Sequence, residues 1–174
     1  FHFGLLKRDG NIIIVDHSVT MEEANAMKQS SYDEVIEWIV AECDRVAEKL
    51  PVTHANTYYA EVGRVTKGAA LALKSRALLY AASPLNNPTG DKTRWEAAAA
   101  AAKDLIDLNL YQLADEEITN NPDALGMIMC IRYSDDASFE AANYPMGYYG
   151  GNSGVNPSQN LAEAFDLIDG TQFD

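Results

Sequence analysis

The 174-residue chain is poor in reactive side chains, with two cysteines, Cys43 and Cys130, and three histidines, His2, His17 and His54. Two thiols far apart in sequence make no metal pattern, and nothing in their spacing supports a disulfide. Cys43 falls on the apolar face of a helix and Cys130 within the apolar run Met127-Ile128-Met129-Cys130-Ile131, and both are expected as buried thiols. The scattered histidines form no H-E-x-x-H pair, and no G-x-S-x-G elbow is present. No glycine-rich loop stands between a strand and a helix to hold phosphate. Basic residues are scarce too, 13 against 26 acidic, a formal net charge of −13. Such a field repels a phosphate backbone, so nucleic-acid binding is not expected. No apolar run approaches the roughly 20 residues that cross a bilayer. The chain starts at Phe1 without a basic then apolar leader, and Asp169-Gly170-Thr171-Gln172-Phe173-Asp174 reads as continuing sequence. Both ends look cut, so the expectation is an internal piece of a larger protein, and the missing leader is uninformative about localisation.

What is present suits a folded domain: 47% hydrophobic and 22% charged residues. The acidity reads first as solubility. Calcium would need a D-x-[DN]-x-[DN]-G loop, none occurs, and no cofactor is expected. Among 26 acidic residues chance carboxylate pairs are numerous, so no catalytic pair can be singled out and no enzyme is expected.

Residues 1–16 begin mid-element, turn at Gly10-Asn11, and continue through a β-branched extended run, Ile12-Ile13-Ile14-Val15. Residues 17–30 read as a loop or a short helical turn. Ser31-Tyr32-Asp33-Glu34 is a capping box that opens a helix. Its apolar stripe runs Tyr32, Val35, Ile36, Ile39, Val40, Cys43, Val46, Ala47 and Leu50, and Pro51 stops it. A loop over 52–62 carries His54, Tyr58 and Tyr59. A second helix is predicted from Gly63 to Ala82, with Ala69, Ala70, Leu73, Ala77, Leu78 and Tyr80 inward. Turn residues follow from Leu85 to Lys92. A second capping box, Thr93-Arg94-Trp95-Glu96, opens a third helix to about Leu110, with Trp95, Ala98, Ala99, Ala102, Leu105 and Ile106 on one face. Residues 128–133 read as a short buried extended segment. A glycine- and tyrosine-rich loop spans 144–157. A last helix is capped at Asn156, with Pro157 first, Leu161, Ala164, Phe165 and Ile168 inward, and Gly170 as its stop. Helix starts about 30 residues apart approach the tetratricopeptide period and predict a helix pair over 63–110.

These segments, in this order, resemble one family. Arg64-Val65-Thr66-Lys67-Gly68-Ala69-Ala70, continuing to Arg76-Ala77-Leu78-Leu79-Tyr80, resembles a helix of the SusD/RagB family, with Lys74 where a small residue is usual. Trp95-Glu96-Ala97-Ala98, then Ala101-Ala102 and Tyr111-Gln112-Leu113, resembles that family's next helix. Asn156-Pro157-Ser158-Gln159-Asn160-Leu161, closing on Asp169-Gly170, resembles its P-[ST]-Q-x-L segment, with Ala162-Glu163 where Val-Asp is commoner.

The resemblance implies an all-α fold of tetratricopeptide-like helix pairs with long irregular loops, of which this chain is a central part of one domain. A helical scaffold would occupy about 31–113, a loop-rich ligand face about 114–157, and a further helix 156–169. It also implies an outer-membrane lipoprotein on the extracellular face, held by a lipid anchor outside this piece. Such a protein captures an oligosaccharide, or a peptide in some members, and delivers it to a SusC-type TonB-dependent transporter. A scaffold that binds only protein partners is the alternative.

Sugar rings present apolar C–H faces that flat aromatic rings match, and amides and hydroxyls answer their hydroxyl groups. Tyr148, Tyr149, Asn152 and Ser153 offer that mixture on the glycine-rich loop, and Tyr58 and Tyr59 form a second aromatic pair. The competing reading is that the tyrosines pack their loops onto the scaffold. Trp95, Tyr80 and Tyr111 read as structural, and Arg64 and Arg76 as partners of local carboxylates.

Overall fold

The computed structural model describes residues 1–54, 64–113, 126–130, 138–144, 146–147, 149–152, 154, 156 and 158–165. Among these the regular elements are helices: α1 His2–Asp9, α2 Met21–Ala26, α3 Tyr32–Ala47, α4 Lys67–Ala82, α5 Lys92–Ile106, α6 Ser138–Asn143 and α7 Gln159–Glu163. The chain forms two compact units, Phe1–Ile131 and Arg132–Asp174.

In the first unit, α1 buries Phe3 and Leu6 and ends on Gly10, whose φ of 73° suits the only residue without a Cβ. In the β-branched run after it only Ile12 pairs, in a single antiparallel bridge with Ser30. Residues 17–30 contain the six-residue α2, opened by a box between Thr20 and Glu23. α3 starts as its sequence predicts. The Ser31 hydroxyl accepts from the Glu34 amide, and the Ser31 amide donates to the Glu34 carboxylate at 2.7 Å. That bond holds the Glu34 carboxyl below its usual range. Val35, Ile36, Ile39, Cys43 and Ala47 are buried along the predicted stripe.

α4 begins at Lys67 rather than Gly63. Thr66 is extended and its hydroxyl accepts from the Ala69 amide, so it is the cap. The Lys67 amide donates to Pro51 O at 2.9 Å across the connection. The ends of α3 and α4 cross-match. Ile36 and Ile39 share a cluster with Ala77 and Ala81, while Ala47 joins Ala70 and Leu71. The two helices are therefore antiparallel. The buried arc of α4 runs from Ala70, Ala77 and Ala81 round to Leu71 and Ala82. Leu73 and Tyr80 were expected inside but lie on the far edge of that arc at 41% and 37% exposure. At 100° per residue the small residues, which let neighbours approach, define the inner face and leave these two outside.

The α4–α5 connection is built on Asn87, the one buried polar side chain among the described residues. Its Nδ2 donates to Asp91 O at 2.9 Å and its Oδ1 accepts the Asp91 amide at 2.8 Å. Asp91 is thereby set at the helix start and caps α5 by accepting the Thr93 amide at 2.9 Å. This corrects the predicted Thr93–Glu96 box: the Thr93 hydroxyl donates to Asp91 instead. α5 returns antiparallel along α4. Arg94 at its start bonds Ala81 O near the end of α4, and Tyr111 beyond its end meets Gly68 near the start. Arg94 also forms a two-pronged pair with Asp33 of α3, at 2.9 and 2.8 Å. Of the predicted inner face, Ala98 is buried and Leu105 packs on the α3–α4 cluster. Trp95 and Ile106, read as core, are 45% and 70% exposed, because Ala98 and Ala101 make the close contact. The helix stops at Ile106, before the left-handed Asn109.

No strand forms among the described residues of 126–130, and Cys130 is half-buried rather than buried. In the second unit α7 starts at Gln159, and the Ser158 hydroxyl accepts the Leu161 amide. Leu161 and Phe165 are exposed rather than inward. Ile168 and Gly170 lie outside the described residues.

Candidate functional site

The glycine-rich loop belongs to the second unit and follows α6, a helix the sequence reading did not anticipate. Gly147 and Gly150 have φ of 95° and 79°, conformations that a side chain would strain. They turn the chain back, and the Asn152 amide donates to Ala141 O at 2.7 Å and the Gly154 amide to Ala142 O at 2.9 Å. The loop is thus latched on the last turn of α6. Between the two left-handed glycines Tyr149 stands fully exposed, at 103%. Tyr144 is half-exposed and Met146 largely exposed beside it in sequence. Asn152 is exposed on the return limb. Tyr148, Ser153, Tyr58 and Tyr59 lie outside the described residues. A planar ring with a polar tip, carried on a latched loop, can stack on an apolar face and offer a hydroxyl at its rim.

The first unit holds a feature that sequence reasoning missed. An open groove of about 680 Å³ is lined by Phe1, Gly4, Leu5, Lys7, Arg8 and Tyr80. The Tyr80 ring meets Phe3 edge-on, with centroids 5.4 Å apart and planes at 82°. Lys7 Nζ lies 5.1 Å from the Phe3 centroid and 5.6 Å from that of Tyr80. The available signals were Gly4 inside a helix and the adjacent cations Lys7-Arg8. Among the described residues no group of three His, Cys, Asp or Glu side chains could hold a metal ion, and no helix is long and apolar enough to cross a membrane.

The chain is similar in structure to a SusD-like protein from Bacteroides fragilis NCTC 9343. The TM-score is 0.75 and the identity 31%, over 98% of this chain and 34% of that one. A SusD-like carbohydrate-binding protein from the same strain matches with a TM-score of 0.76 and 26% identity, over 99% of this chain and 33% of that one. These neighbours support a fragment of the SusD/RagB family. A SusD homologue from Bacteroides thetaiotaomicron VPI-5482 matches more loosely, with a TM-score of 0.50 and 28% identity, over 65% of this chain and 21% of that one. The chain thus spans about a third of the length of the first two SusD-like structures. No family model and no curated protein matches the sequence. The SusD-like fold accounts for the antiparallel α3, α4 and α5 as tetratricopeptide-like packing. It also joins two sequence motifs in space: Gly68 of the α4 motif has no side chain where the ring of Tyr111, from the Tyr111-Gln112-Leu113 motif, packs.

Proposed function

We propose that this protein captures glycans at a cell surface and passes them to a transporter without altering them. The observation that carries this reading is the likeness, over 99% of the chain, to a SusD-like carbohydrate-binding protein. The fully exposed Tyr149 supports it locally, since a ring that packs on no neighbour is available to a sugar face. Contact is assigned to Tyr148, Tyr149, Asn152 and Ser153, with Tyr58 and Tyr59 as a further pair. The whole protein would sit on the extracellular face of the outer membrane through a lipid anchor and deliver oligosaccharide to a SusC-type TonB-dependent transporter. It would act as a central part of one domain, with scaffold over about 31–113, ligand face over about 114–157 and a further helix over 156–169. Sugar binding of this kind needs no cofactor.

Affinity electrophoresis through gels cast with single polysaccharides tests the reading. Retardation by at least one glycan is expected, and thin-layer chromatography of the same mixtures should show no released product. Retardation by none of a broad panel, together with tight capture of a peptide or protein, would replace glycan capture with the scaffold or peptide reading.

A further inference from the structure

We infer that the groove beside α1 is a sugar-contact site selective for acidic sugars, those carrying a carboxylate or a sulfate; the inference rests on the glycan-binding reading above. Three observations support it. The first is Gly4. Glycine inside a helix costs stability relative to alanine. Neither backbone nor crowding calls for it here: its φ is not positive, and a Cβ would meet nothing within 4 Å. Its missing side chain does leave the groove open, which is a reason for glycine if something enters. The second is charge. The chain carries twice as many acidic as basic residues, yet the groove lining includes Lys7 and Arg8 and no carboxylate. Arg8 is largely exposed and reaches its nearest acid, Asp9, only at 4.0 Å, which leaves guanidinium donors for another anion. The third is the ring. Tyr80 is held edge-on by Phe3, so its orientation is set before a ligand arrives, and Lys7 Nζ lies over it at 5.6 Å from the centroid, where an entering acidic sugar would draw the ammonium off the ring. A sugar stacked on Tyr80 would bring an acidic substituent to Lys7 and Arg8.

The test compares the intact protein with three variants by isothermal titration calorimetry. The probes are an oligogalacturonate, the same oligomer with its carboxylates reduced to alcohols, and a sulfated galactose oligomer. At least one acidic oligomer should bind about tenfold or more tighter than the neutral one. The advantage should shrink as salt rises. The Lys7→Ser/Arg8→Ser variant should lose that advantage while keeping its affinity for the neutral oligomer. Gly4→Ala and Gly4→Gln should both melt no lower than the parent and should weaken acidic binding in that order, the larger side chain more. Preference for the carboxylated or the sulfated oligomer tells which acid is read. If neutral glycans are retained but no acidic preference exists, or if the preference survives Lys7→Ser/Arg8→Ser, the groove proposal fails and glycan capture stands. If no glycan of any kind is retained, both fail.

Discussion

Replacing Asn87 with alanine should lower stability more than any other single loop substitution between α4 and α5. The side chain is 4% exposed. It makes two short hydrogen bonds, to Asp91 O at 2.9 Å and from the Asp91 amide at 2.8 Å, besides longer contacts with Ala82 O and Thr89. Each well-formed bond is worth about 1 kcal/mol net, and a weakened cap costs about 1 kcal/mol more. The loss should be about 2–3 kcal/mol. With a urea slope of roughly 2 kcal/mol per molar, the midpoint of helix loss by circular dichroism should fall by about 1 M at unchanged slope. Asn87→Asp sharpens the test. It keeps the acceptor for the Asp91 amide, loses both amide donors, and turns a carboxylate toward backbone carbonyls. That variant should be least stable at neutral pH and recover as the pH falls and the new carboxyl takes up a proton. Asn87→Ala within about 0.5 kcal/mol of the parent would show that Asn87 does not organise the helix pair, an effect of the size expected for an ordinary surface site.

Gly68→Ala should displace the Tyr111 ring, since its Cβ would lie 2.7 Å from Cε2 and Cζ. A cost of about 1–2 kcal/mol is expected, largely removed in the Gly68→Ala/Tyr111→Ala pair, as a double-mutant cycle would report. Tyr32→Phe should leave stability unchanged or raise it by up to about 1 kcal/mol, because the Tyr32 hydroxyl is buried with no hydrogen-bond partner among the described residues. A loss above about 1 kcal/mol in thermal melts would reveal a partner. Cys43 should react slowly with a thiol reagent in the native protein, since it is buried and its thiol is pushed up first by burial and then by Asp44. Cys130, half-buried, should react first, and equal rates would contradict the α3 core.

Most of the scaffold was readable because its determinants are local. Ser31 and Glu34 lie within one turn, and the α3 stripe depends only on helical period. The failures arise where a distant residue decides. Thr93 looked like a cap until Asn87 fixed Asp91 two residues earlier. Trp95 and Tyr80 looked like core because they are large and at helical spacing. In a pair with alanine contacts, though, Ala98, Ala101, Ala77 and Ala81 take the inside and the large rings stay out. Leu161 and Phe165 of the second unit, also expected inward from helical spacing, are exposed. At the candidate site, the sequence marked the glycine-rich loop by composition. Exposure is a tertiary quantity, so only the structure places Tyr149 in the open. The groove was invisible because α1 and Tyr80 are remote in sequence, and a lone glycine with a Lys-Arg pair carries little meaning until they share a wall.

The most direct measurement is calorimetric titration of the protein with the glycan that retards it most, beside Tyr149→Ala. Because Tyr149 packs on nothing, the variant should fold and melt as the parent does. Glycan capture through the latched loop predicts saturable binding by the parent and an affinity at least about tenfold weaker in the variant, the cost of losing one stacked ring. No measurable heat with any glycan, or equal affinity in both proteins, would contradict it.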